Sequence, residues 1–168
     1  MKNLFFVAIA TLFLAVSCST PSSTTATPTK PTDGSTPTEE VANTLVKFSN
    51  SDDIDGALAM AKKQKKVLFI DFYTTWCAPC RVMEQGTFRD EDVADYMNEN
   101  CICIRVNAEK GKGPEMKIAY AVDAYPTMLF YASNGDEVAR KQGSMGIEEF
   151  KIFMKSSVWK AKNPAGKP

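Results

Sequence analysis

The stretch Val67-Leu68-Phe69-Ile70-Asp71-Phe72-Tyr73 constrains this chain more than any other. A strand with one wet face alternates apolar and polar residues. This run, apolar at every position but Asp71, has to be covered on both faces. It predicts a central strand in a sheet flanked by helices, hence an α/β fold. Directly after it comes Trp76-Cys77-Ala78-Pro79-Cys80, which opens a segment with helical spacing. Strand, short turn and helix then follow one another, and the helix carries two thiols in its first turn. A helix N-terminus offers unpaired N–H groups and the positive end of the macrodipole, so it stabilises a thiolate there. The thiolate is the nucleophile in disulfide exchange. Two residues between the cysteines let the second thiol close back on the first and expel a bound partner. The stretch reads as a dithiol/disulfide couple.

The chain begins differently. Met1-Lys2-Asn3 and the apolar run Leu4 to Val16 form a signal-peptide pattern, and the run is shorter than the about 20 residues needed to cross a bilayer. It ends at Leu14-Ala15-Val16-Ser17-Cys18, which resembles the lipobox of bacterial lipoproteins, although the leucine stands one residue further from the cysteine than in that family. The resemblance implies cleavage after residue 17 and lipidation of Cys18; an ordinary cleaved signal is the alternative. From Ser19 to Glu40, sixteen of twenty-two residues are Ser, Thr or Pro, with no large apolar side chain to offset the entropy of folding. We therefore expect a signal segment at 1–17, a disordered tether at 18–44, and one globular domain at 45–168. Export permits disulfides. The chain has no histidine, which removes His-based catalysis and most metal sites. Its formal net charge is zero, without a basic cluster, so nucleic acid is not an expected partner.

Within the globular part, Val46-Lys47-Phe48 reads as a short edge strand. Ser51 and Asp52 are N-cap types ahead of Ile54, Ala57, Leu58 and Ala61 at helical spacing. After the cysteines, Asp90-Glu91-Asp92 caps a further turn through Val93, Tyr96 and Met97. Cys101 to Val106 is a second core strand. Lys110 to Pro114 is a loop, and Met116 to Val122 a helix. Thr127 to Tyr131 and Val138 to Gln142 are strands about an Asn134-Gly135 turn, and Gly146 opens a last helix.

Several separated features resemble the thioredoxin family: Trp76 to Cys80, an aspartate six residues before the first cysteine at Asp71, the X-Pro-Thr at Tyr125-Pro126-Thr127, Asn134-Gly135, and Gly143. The likeness runs from about Leu45 to Val158. The stretch Glu84-Gln85-Gly86-Thr87-Phe88-Arg89-Asp90 is similar to the soluble domain of the bacterial transmembrane thiol:disulfide interchange proteins. The resemblance implies a thioredoxin fold, with a central mixed sheet of four to five strands flanked by helices. It also implies an exported thiol:disulfide oxidoreductase, acting as a disulfide reductase without a cofactor. A thioredoxin-fold binding module without turnover and a disulfide isomerase are the competing classes. The expected protein is a periplasmic monomer, membrane-tethered by lipid at Cys18. Its partners would be disulfide-containing proteins and a membrane thiol electron donor.

Cys77, nearer the helix start and less covered, is the expected attacking thiolate, and Cys80 the resolving thiol. A purely structural disulfide would close too short a loop to add much stability. Asp71, a carboxylate in an apolar strand, should have a raised pKa and accept the Cys80 proton through water; a satisfied structural carboxylate is the alternative. Arg105 stands where thioredoxin has a lysine beside that aspartate, and either pairs with Asp71 or reaches solvent. Pro126 is expected in the cis form. Tyr125, Pro126 and Thr127 would hold an extended substrate segment, and Trp76 would form the docking rim. Ala78 and Pro79, where thioredoxin has Gly-Pro, would tune redox poise together with Arg105. Cys101 and Cys103 share one strand face and are assigned to the core, with a secondary redox role as the alternative. A zinc site made by Cys77, Cys80, Cys101 and Cys103 is disfavoured by their spacing, and no metal is expected.

Overall fold

In a computed structural model of the chain, residues 45–164 are described. The expected signal segment, Cys18 and the tether to residue 44 lie outside them, as do residues 165–168. The elements are β1 (Phe48–Asn50), α1 (Ile54–Gln64), β2 (Val67–Tyr73), α2 (Ala78–Gln85), a 3-10 turn (Thr87–Arg89), α3 (Glu91–Asn100), β3 (Cys101–Asn107), α4 (Gly113–Ala119), β4 (Thr127–Tyr131), β5 (Glu137–Gln142) and α5 (Ile147–Lys162). The five strands form one mixed sheet in the order β1-β3-β2-β4-β5. β1 and β2 run parallel to β3, whereas β4 is antiparallel to both β2 and β5.

β2 is central and every residue in it is buried, as its apolar run requires. Its alternation sorts the core into two layers. Val67 and Phe69 pack with Met83 of α2, Val93 and Met97 of α3, and Phe150 and Met154 of α5. Leu68, Ile70 and Phe72 pack with Ile54, Ala57 and Ala61 of α1. By the same alternation Asp71 and Tyr73 fall on the α2 side of the sheet. Burying five Phe rings of this core at 1% exposure or less supplies roughly 2–3 kcal/mol each. Among the described residues no helix is long and apolar enough to cross a membrane.

Local chemistry moved several expected boundaries. The α1 cap is Asp53, whose Oδ1 accepts from Gly56 N at 2.9 Å. Ser51 instead accepts from Asp53 N, and Asp52 from Lys112 N. β1 starts at Phe48 and not at Val46, because Leu45 N and Val46 N both bond the Phe88 carbonyl instead of a strand. The turn after Asp90 is a full ten-residue helix, α3, capped by Asp90 Oδ1 on Val93 N at 3.0 Å. α4 begins at Gly113, three residues before Met116, because Pro114 fits the first turn, where an N–H is not needed. It stops early because Ala121 takes a left-handed φ of 50°.

Candidate active site

Cys77 is the N-cap of α2, with Pro79 in the first turn, and it is joined to Cys80 by a disulfide. The Cys80 amide donates to Cys77 Sγ at 3.1 Å. This N–H and the positive end of the helix dipole are aimed at the Cys77 sulfur, at the N-cap of the helix, and not at Cys80. The expected difference in cover is absent, since both residues are 2% exposed. The asymmetry between the two thiols lies in hydrogen bonding. Tyr73 and Tyr125 complete the apolar surround of the pair.

Trp76 is 64% exposed beside this pair. Its indole meets the Tyr125 ring edge-on, with centroids 6.0 Å apart at 84°. Its Nε1–H donates to both carboxylate oxygens of Glu109, at 3.0 and 3.1 Å. Glu109 is itself fixed by a tight loop after β3. Its amide donates to Asn107 Oδ1 at 3.0 Å, and Gly113 approaches the Asn107 carbonyl so closely that a Cβ there would stand 1.8 Å from the oxygen. The Tyr125–Pro126 peptide is cis. Thr127 is fully buried, and its hydroxyl donates to the Ala124 carbonyl at 2.7 Å, so its side chain closes the turn.

The parallel register sets Asp71 opposite Arg105, beside Tyr73, which packs against the disulfide. Arg105 Nε donates to Asp71 Oδ2 at 2.9 Å, with the two side chains 4% and 1% exposed. Arg105 therefore pairs and does not reach solvent. The same guanidinium forms an ion pair with Glu84 and lies 4.1 Å over the Tyr73 ring. Burial pushes the Asp71 carboxyl above its ordinary value against the opposing pull of Arg105, and Glu84 adds to the rise. Burial disfavours the Arg105 charge, but Asp71 and Glu84 more than offset that and hold it firmly protonated. Asp71 Oδ1 and the buried Thr74 hydroxyl have no hydrogen-bond partner among the described residues. A buried oxygen left open in this way is suited to a bound water or a transferred proton.

The structure thus gathers Cys77, Cys80, Trp76, Ala78, Pro79, Tyr125 and Pro126 at one end of the sheet, with Asp71 and Arg105 joined to them through Tyr73 and through Glu84 of α2. Cys101 and Cys103 are elsewhere: they lie opposite Val67 and Phe69, at least roughly 13 Å of strand before the end of β2. A four-thiolate zinc site is therefore excluded. Two residues of the site went unread in the sequence. Glu84 lies four residues after Cys80, on the same face of α2, and that spacing was a usable signal. Glu109 reaches Trp76 across 33 residues, and no local pattern announces it.

A family model described as a thioredoxin-like domain matches residues 54–157. The thiol:disulfide interchange protein DsbD of Vibrio vulnificus (strain CMCP6) is 29% identical over 123 residues, which is 71% of this chain and 21% of that protein. The chain spans about a fifth of the length of the curated DsbD relatives it matches. Among solved structures, a Bacteroides thetaiotaomicron protein proposed as a disulphide-isomerase is 37% identical with a TM-score of 0.59, covering 67% of this chain and 93% of that one. A Thermus thermophilus thioredoxin is 22% identical with a TM-score of 0.64, covering 72% and 93%, a likeness of fold alone.

Proposed function

We propose, since the chain belongs to the thioredoxin-like domain family, that it is an exported thiol:disulfide oxidoreductase working as a disulfide reductase. The observation that carries this reading is the disulfide at the start of α2, with the Cys80 amide aimed at Cys77 Sγ. In the reduced protein the Cys77 thiolate attacks one sulfur of a partner disulfide. A Cys77–partner disulfide forms and the partner's other sulfur leaves as a thiolate. Cys80 gives up its proton to Asp71 and attacks Cys77 Sγ. The intramolecular disulfide closes, and the partner departs with two electrons and two reduced sulfurs. Ala78-Pro79, with no histidine between the cysteines, leaves the thiolate less stabilised than in strong oxidants of this superfamily, and that supports the reducing direction.

A thiol donor must then re-reduce the pair. We assign this to a membrane electron donor, with the domain held near it by lipid on Cys18 and by the Ser/Thr/Pro-rich tether. The support is the signal-like start and the lipobox resemblance. A second reading, disulfide isomerisation, is favoured by the description of the Bacteroides neighbour. Turnover of a model protein disulfide with a regenerating dithiol tests the assignment. Cys77→Ser is expected to abolish it, and Cys80→Ser to accumulate a stable adduct with the substrate. Wild-type turnover by Cys80→Ser without adducts would reverse the roles. Faster repair of a scrambled protein than net reduction would favour the isomerase.

A further inference from the structure

We propose that Cys101, Cys103 and Met97 form a site for one soft monovalent metal ion, of the Cu(I) class, away from the disulfide. The inference is independent of the redox reading. Cys101 and Cys103 are two apart on β3 and present their thiols on one face. Both are free and 4% exposed. Cys101 Sγ lies 3.9 Å from Met97 Sδ, where α3 runs into β3, and the Cys103 thiol stands on the same strand face, close enough to Cys101 to act on it. Three sulfurs are therefore contiguous, and the exchange reaction uses none of them.

Thiolate and thioether ligands select Cu(I), whereas hard cations require oxygen. Among the described residues no three of His, Cys, Asp and Glu converge, so the third ligand here is a thioether. With metal–sulfur bonds of about 2.3 Å, sulfurs in a trigonal plane stand about 4.0 Å apart. Cys101 and Met97 already have that separation within 0.2 Å. The ion replaces two thiol protons, and the Cys101–Met97 separation does not have to change to hold it. Two thiolates around a monovalent ion leave one negative charge. Lys66, whose ammonium donates to the Asn98 carbonyl at 2.7 Å, lies close enough to act on Cys103 and offset it. The rest of the surround is hydrocarbon, Val67 and Phe69 included.

The test uses the full chain carrying Cys77→Ser and Cys80→Ser, so that the active-site thiols cannot bind the probe. Anaerobic titration with Cu(I) against bicinchoninate is expected to leave one ion per chain. Adding Cys101→Ser or Cys103→Ser should weaken retention by roughly 100-fold, and Met97→Leu by roughly tenfold. X-ray absorption of the loaded parent should show only sulfur, at about 2.3 Å. If a variant fails to fold, that spectrum decides alone. No ion retained by the parent, undiminished retention in Cys101→Ser or Cys103→Ser, or nitrogen or oxygen in the coordination shell overturns the proposal.

Discussion

Asp71 and Arg105 face each other in register on adjacent parallel strands, joined at 2.9 Å with both side chains buried. The pair is not balanced, because the same guanidinium also serves Glu84. Two carboxylates share one cation, and burial holds Asp71 toward its protonated form. That arrangement provides a group able to gain and lose a proton, which the proposed resolution by Cys80 requires.

Arg105→Met is expected to destabilise the fold at pH 8 by about 3–5 kcal/mol, the usual cost of leaving a buried charge unpaired. The loss should shrink as pH falls and Asp71 takes up its proton, because burial holds its carboxyl above the ordinary value. Denaturant midpoints across a pH series from 8 into the acid range check this, and equal losses throughout would show that the guanidinium acts mainly through packing.

Asp71→Asn is expected to slow resolution by roughly 100-fold, the low end of what a positioned base contributes, while leaving the initial attack by Cys77 nearly unchanged. Stability should move the other way. Because the folded pKa lies above the ordinary 3.8, the folded chain keeps a proton that the unfolded chain releases. Wild-type stability therefore falls as pH rises between the two values, then levels off. The amide escapes that fall, so the variant should be the more stable at pH 8 and match the wild type below the unfolded pKa. Lower stability of Asp71→Asn at pH 8 would mean that the Arg105 pair outweighs burial.

Glu109→Ala removes the acceptor of the Trp76 indole. The bond is exposed and worth on the order of 0.5–1.5 kcal/mol. KM for a protein disulfide should rise about 2- to 10-fold, with little change for a small aromatic disulfide that needs no docking rim. An unchanged KM for protein would remove Trp76 from substrate docking.

Gly113→Ala should reproduce the Glu109→Ala kinetics and also destabilise by about 1–3 kcal/mol, since its Cβ meets the Asn107 carbonyl at 1.8 Å and displaces the loop that carries Glu109. Thermal unfolding together with the same KM comparison reads both effects. A stable variant with wild-type KM would detach that loop from the rim.

The parts of the fold legible in the sequence were those set by local pattern. The apolar run of β2 required two covering layers, and the Cys-x-x-Cys after it required a helix start. Asp71 stood out because a carboxylate in such a run is costly. What escaped depends on distant contacts. β1 shifted because Phe88 claims the preceding amides, and Glu109 joined Trp76 through a loop whose shape rests on one close glycine. The alternatives for Arg105 needed the strand register, which sequence alone does not supply. Cys101 and Cys103 read correctly as core, but the contact of Cys101 with Met97 came from the junction of α3 and β3.

The direction of electron flow is tested most directly by the reduction potential of the Cys77–Cys80 pair, obtained by equilibrating the full chain against glutathione and quantifying the free thiols. A disulfide reductase with Ala78-Pro79 between its cysteines should lie nearer thioredoxin's about −270 mV than the about −120 mV of a strong oxidant. A potential above about −180 mV, where protein disulfide isomerase lies, would contradict the reductase account and leave an isomerase or an oxidase.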